Sequence, residues 1–167
     1  MPSQLPVRLS RQWNIFKQTF QMRLFGLLKI PLIFYCRPSI VEVTDKRAEV
    51  VIPLNYFTRN HVKSMYFGAL CIGADLAAGV FVLEAIRRSG RKVNFIFKDF
   101  KADFLKLALA DVHFICEEGK KVADVVKETI RTKKRANTTV LLWATTPKKT
   151  GDEPVAKFAL TISVKAV

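Results

Sequence analysis

Residues 64–86 read SMYFGALCIGADLAAGVFVLEAI, and Asp75 and Glu84 are the only ionisable side chains there besides Tyr66 and Cys71. Ser64 is suited to cap the start of a helix, and Arg87, Arg88 and Gly90 suit its end. A helix apolar on every side is either a membrane span or the centre of a fold. Its length is adequate for a span. Three glycines (Gly68, Gly73, Gly79), a mid-helix carboxylate that is costly in lipid, and strand-rich sequence on both sides favour the second reading. The expectation is a core helix wrapped by a sheet.

Working outward, Ile40–Thr44 and Ala48–Ile52 are rich in β-branched residues and flank Asp45-Lys46-Arg47, which predicts a hairpin. A polar loop from Asn55 to Lys63 carries Asn60 and His61. Beyond Gly90, Val93, Phe95 and Phe97 alternate, and then the apolar phase slips to Phe100, Ala102 and Phe104. A one-residue slip within a strand predicts a bulge and a curved sheet. Val112, Phe114 and Cys116 mark the next strand, with His113 out of phase and so expected on the surface or just behind a site. Lys120–Lys134 has the spacing of an amphipathic helix, with Val122, Val125, Val126 and Ile130 on one side. Thr138–Ala144 is a predicted strand, Lys148–Glu153 a turn, and Phe158, Leu160, Ile162 and Val164 define the last strand. With no repeat or linker, the reading is one α+β domain over residues 1–167, comprising an N-terminal helical extension (1–38) and a core (39–167).

The extension has an unusual composition. No acidic residue precedes Glu42, whereas Arg8, Arg11, Lys17, Arg23, Lys29 and Arg37 accompany Trp13, Phe16, Phe20, Leu24 and their apolar neighbours. Ser10–Leu28 reads as an amphipathic helix stopped by Pro31. The simpler expectation is that its apolar side packs on the domain and its basic residues are solvated; the alternative is a helix lying on an anionic membrane surface. Over all 167 residues, 28 basic and 14 acidic side chains give a formal charge of +14. A 50% hydrophobic content excludes a disordered chain, and the charge favours anionic partners. A nucleic-acid role would rest on charge alone, without a recognition motif, and is not expected. Three scattered cysteines and two histidines predict free buried thiols and no metal site. Without the features of a secretory signal at the N-terminus, a cytoplasmic location is expected.

The predicted architecture, together with Asn60-His61, Tyr66-Phe67-Gly68-Ala69-Leu70 and Ala74-Asp75, resembles the hot-dog fold superfamily. The closest likeness is to phenylacetyl-CoA-type acyl-CoA thioesterases and a less characterised bacterial group of hot-dog thioesterases. It covers Ser39 to Val167. In that pattern an Asn stands six residues before a His-Gly-Gly turn, and a carboxylate stands nine after the His; Asn60, Tyr66-Phe67-Gly68 and Asp75 keep the spacing. Tyr66 replaces the His, and Phe67 replaces a Gly.

The resemblance implies a curved antiparallel sheet of about six strands around a long apolar central helix, in a homodimer or dimer of dimers. It implies hydrolysis of an acyl-CoA or acyl-carrier thioester, with coenzyme A entering only as part of the substrate. Asp75 would be general base or nucleophile, Gly68 N–H an oxyanion donor, and Asn60 a positioning group. Phe67 and Tyr66 would frame the acyl entrance, with Tyr66 either donating its hydroxyl or filling the tunnel mouth. Arg59 and Lys63, or Arg87, Arg88 and Arg91, would meet the coenzyme A phosphates; Lys133, Lys134 and Arg135 form another basic cluster. Each residue also has a plain structural reading: a paired core Asp, a turn-capping Asn, solvated basic faces. The changed turn and acid-free N-terminus keep open a second function, a non-catalytic acyl- or fatty-acid-binding module docked on membrane.

Overall fold

The computed structural model describes residues 5–167, with side chains from residue 12 onward; the Arg8 and Arg11 side chains and residues 1–4 of the extension lie outside it. The elements run α1 (Leu5–Lys29), α2 (Pro31–Cys36), β1 (Ser39–Val43), β2 (Ala48–Ile52), α3 (Phe67–Ser89), β3 (Val93–Phe104), β4 (Val112–Cys116), α4 (Gly119–Thr132), β5 (Ala136–Thr145), α5 (Pro147–Thr150) and β6 (Pro154–Ala166). All six strands join one sheet in the order β1-β2-β4-β5-β6-β3, and every neighbouring pair is antiparallel.

The phase slip is structural. Phe97 pairs with Ile162 and Asp99 with Thr161, so Lys98 is the extra residue of a bulge in β3. Bulges increase local twist and bend the strand that carries them. The curved sheet buries Val50, Ile52, Val112, Phe114, Val140, Leu160 and Ile162 beneath α3, which contributes Leu70, Ala74, Ala77, Ala78, Phe81 and Val82. Small residues let the helix approach closely. A Cβ on Gly73 would lie 2.2 Å from two atoms of the Phe114 ring. By length and composition α3 would cross a bilayer, but here it is the central helix of the fold, as its flanking strands require.

One local expectation is corrected. The cap of α3 is Tyr66, without a side-chain cap bond, whereas Ser64 is bound into the preceding loop. At the other end Gly90 does close the helix, at φ 61°. Pro31 does separate two helices, but it also opens α2, where its missing N–H is no loss.

The larger correction concerns α1. Its domain-facing side is Ile15, Thr19, Met22 and Gly26, while Trp13, Phe16, Phe20, Leu24, Leu27 and Leu28 point to solvent. Polar bonds hold this orientation. Arg23 Nε donates to Pro38 O (2.8 Å), its Nη2 donates to Ser39 Oγ (2.7 Å), and Ile40 N–H donates to Thr19 Oγ1 (3.0 Å). The apolar side therefore does not pack on the domain.

Candidate active site

The loop before α3 is built from its own polar residues. Thr58 is fully buried; its hydroxyl donates to Pro53 O (2.7 Å) and accepts from Asn55 N–H (2.9 Å). Asn60 ties the following turn: Oδ1 accepts from Val62 N–H and Ser64 N–H (both 3.1 Å), and Nδ2 donates to Ser64 Oγ (3.0 Å). Lys63 completes the turn in the left-handed region, at φ 63°. Met65 N–H then reaches Ala108 O and Tyr66 N–H reaches Thr58 O, both at 2.8 Å, which aims the chain into α3. Asn60 thus keeps one amide N–H uncommitted, and its main duty in the protomer is to shape the turn. The sequence marks neither Thr58 nor Ser64 as a site residue: Thr58 looks like any loop hydroxyl, and Ser64 reads only as a helix cap.

At the start of α3, Ala69 and Leu70 N–H groups reach Tyr66 O, but among the described residues the Gly68 N–H meets no acceptor. Free amides at a helix N-terminus, aided by the helix dipole, favour negative charge. Tyr66 covers this position: a Cβ on Gly68 would lie 2.6 Å from Tyr66 Cε1. The Tyr66 and Phe67 rings lie 4.7 Å apart, and both side chains are about half exposed. Phe67 also meets Phe104 at the end of β3, with ring centroids 6.4 Å apart.

Asp75 follows Gly68 by two helical turns and so shares its face, with Cys71, Ile72 and Gly79 alongside. No described residue donates a hydrogen bond to its carboxyl or pairs with it, so the paired-Asp reading does not hold within the protomer. Burial among apolar neighbours pushes its pKa from 3.8 up to about 6. Beyond it, a Cβ on Gly79 would meet nothing within 4 Å, so the face is open on that side.

The basic candidates separate into distant groups. Arg59 lies at the loop, 5.5 Å from the Tyr56 ring centroid, and Lys63 is nearby in the same loop. Arg87 and Arg88 lie at the far end of α3, about 30 Å along its axis at the usual helical rise. There Arg87 Nη2 pairs with Glu84 (2.7 Å), and Arg88 pairs with Glu84 and Asp45. Arg91 follows just beyond, so the two groups do not form one rim in a protomer. In the third cluster Arg135 Nη1 donates to Ser163 Oγ (3.0 Å), and Lys133 caps α4 in the left-handed region. His61 is exposed, and His113 sits on the outer face with Nδ1 2.7 Å from Glu49. A surface cavity of about 590 Å³ lies between α3, α4 and the β1–β2 turn, and another of about 400 Å³ lies on the outer face over Leu141 and Trp143; Asp75 lines neither.

A six-stranded antiparallel sheet curled around one long apolar helix is the hot-dog fold. Residues 18–164 match the family described as a domain of unknown function, DUF4442, and the chain belongs to that family. Among solved structures it is similar to a protein of unknown function from Pseudomonas aeruginosa described as a probable thioesterase: 21% identity, 89% of this chain and 96% of that one covered, TM-score 0.73. It is also similar to a protein of unknown function from Chlorobaculum tepidum (13% identity, 90% and 96% covered, TM-score 0.77). A thioesterase from Haemophilus influenzae is a third (13% identity, 86% and 88% covered, TM-score 0.62). At these identities the likeness establishes the fold. No curated protein matches the chain significantly.

Proposed function

We propose that the protein is a thioesterase acting on an acyl-CoA or acyl-carrier thioester, with Asp75 as its general base or nucleophile. The observation that carries this is an unpaired carboxyl with a pKa raised to about 6, sharing one helix face with the free Gly68 N–H. A base with a pKa near the working pH is well matched to taking a proton from water. In the general-base form, Asp75 accepts that proton and the water oxygen bonds to the acyl carbon. The Gly68 N–H of a second copy stabilises the resulting oxyanion. The C–S bond then breaks, and the thiol leaves with a proton returned from Asp75.

One protomer is not enough for this reaction. Seven residues at the helical rise separate Gly68 and Asp75 by about 10 Å, too far for both to act on one carbonyl. A site shared between two copies removes the conflict by bringing Asp75 of one against the loop and Gly68 of the other. The long edge strand β3, paired only to β6 and exposing Ile96, Phe100 and Phe104, supports a homodimer formed along that edge. Arg59 and Lys63, at the same end as Gly68, are better placed for coenzyme A phosphates than Arg87, Arg88 and Arg91.

One observation favours a second reading, a non-catalytic acyl-binding module: the Tyr66 ring packs against Gly68 where a Cβ would stand, beside the amide that catalysis would need. Thiol release across short to long acyl-CoAs, wild type beside Asp75→Ala, decides between them. Hydrolysis lost in the variant is expected. Silence on every substrate, from folded dimeric protein, would replace the enzyme with the binding module.

A further inference from the structure

We infer that α1 docks this protein on an anionic lipid bilayer, lying in the plane of its surface. Of the seven exposed large apolar residues described in α1, Trp13, Phe16, Phe20, Leu24, Leu27 and Leu28 fall within about 120° of arc at 100° per residue, and Phe25 lies about 60° beyond its edge. Each is between 42% and 68% exposed. The stripe is held outward: Arg23 and Thr19 bond to the segment that leads into β1, and Gly26 lets α2 approach closely, since a Cβ there would lie 2.9 Å from Phe34 N. Rolling the helix to bury the stripe would break those bonds. The apolar surface continues on α2, where Leu32 and Tyr35 are exposed, and Tyr35 meets Phe57 of the loop that leads to Tyr66 (ring centroids 5.8 Å).

Charge identifies the occupant. The first 41 residues contain six basic side chains and no carboxylate. Lys17 lies within the stripe, its Nζ 5.4 Å from the Trp13 ring centroid, and Lys29 and Arg37 are exposed at the far end. A second copy seated on this face would set lysine-bearing stripes together with no acid in either segment to answer them. Anionic headgroups supply that countercharge, while the acyl layer takes Trp13, Phe16 and Phe20. An amphipathic helix of this kind lies in the interface and does not cross the bilayer.

The inference does not depend on Asp75 chemistry. The test is co-sedimentation of the full chain with vesicles of phosphatidylcholine alone or mixed with phosphatidylglycerol. Binding is expected only to the anionic vesicles, weakening about tenfold or more when salt rises from roughly 0.05 to 0.5 M as charges are screened. Phe16→Glu/Phe20→Glu is expected to lose at least about tenfold in binding while melting like wild type, because both side chains are solvent-exposed. Lys17→Glu/Lys29→Glu is expected to weaken anionic binding without changing the fold. Trp13 fluorescence, read in a Trp143→Phe background, should shift to the blue on anionic vesicles. Wild type that ignores anionic vesicles at low salt would overturn the inference, as would stripe variants that bind like wild type. A stripe substitution that splits an oligomer, in a protein without vesicle binding, would assign the face to a second copy instead. Hydrolysis of a soluble short-chain thioester should be the same in wild type and Phe16→Glu/Phe20→Glu, so failure here and failure of the thioesterase reading are separate results.

Discussion

Asp75→Asn is expected to stabilise the folded protein at neutral and alkaline pH and, in the thioesterase reading, to abolish hydrolysis. Burial raises the Asp75 pKa from 3.8 to about 6, so the unfolded chain releases this proton more readily than the folded one. Stability from the protonated form is therefore complete below about pH 3.8, declines as pH rises, and is lost above about 6. The shift of roughly two pKa units corresponds to about 3 kcal/mol at most. Retaining half of that for a partly solvated carboxyl leaves ~1.5 kcal/mol, or about 3–6 °C in melting temperature for a chain of this size. Asparagine keeps the shape without the charge, so the variant should gain this amount at pH 8 and nearly nothing at pH 4. Thermal melts of both proteins across that range, at fixed protein concentration, measure the difference. A variant less stable than wild type at pH 8 would refute the reasoning, because it would mean that the ionised carboxylate has a partner. In the thioesterase reading, the wild-type rate should fall as pH drops through about 6, where the base is protonated.

Three further outcomes are expected. Gly73→Ala drives a methyl into the Phe114 ring and should cost about 1–3 kcal/mol in urea unfolding despite better helix propensity, with Phe114→Leu in the same background recovering part of the loss. On β2, burial acts to raise the Glu49 pKa, but hydrogen bonds from His113 (2.7 Å) and Arg47 (3.0 Å) outweigh it and hold the pKa below 4.5. Glu49→Gln should therefore cost about 1–2 kcal/mol at pH 7, and chemical denaturation should show wild type losing that advantage as pH falls through the depressed pKa. Cys36 and Cys116 are buried, and burial raises the pKa of all three thiols, that of Cys116 to about 11. Thiol reagents at pH 7 should react slowly with the native protein, first at half-buried Cys71, and titrate three groups after unfolding.

Much of the local structure was legible without coordinates. The period-2 runs locate the strands, the slip between Phe97 and Phe100 locates the bulge at Lys98, and the all-round apolar run locates α3. These signals are local: one residue in or out of phase states which way its own side chain faces. The spacing from Gly68 to Asp75 was equally legible, because seven residues of helix return to the same face.

Tertiary structure decided what covers each surface. Amphipathicity in α1 marks an apolar side but not its partner, and Arg23 and Thr19, bonded across to Pro38, Ser39 and Ile40, turn that side outward. Asn60 reads as a positioning group by spacing, yet its bonds within the 60–64 turn come from a loop shape that no periodicity encodes. Arg59 and Arg88 look equivalent as charges, but α3 holds them at opposite ends, and Arg88 is paired with Glu84 and Asp45. The sequence by itself determined the sheet, the central helix and the face that carries Asp75. The partners of the polar and apolar groups on those elements came only with folding, because each depends on contacts between segments far apart in the chain.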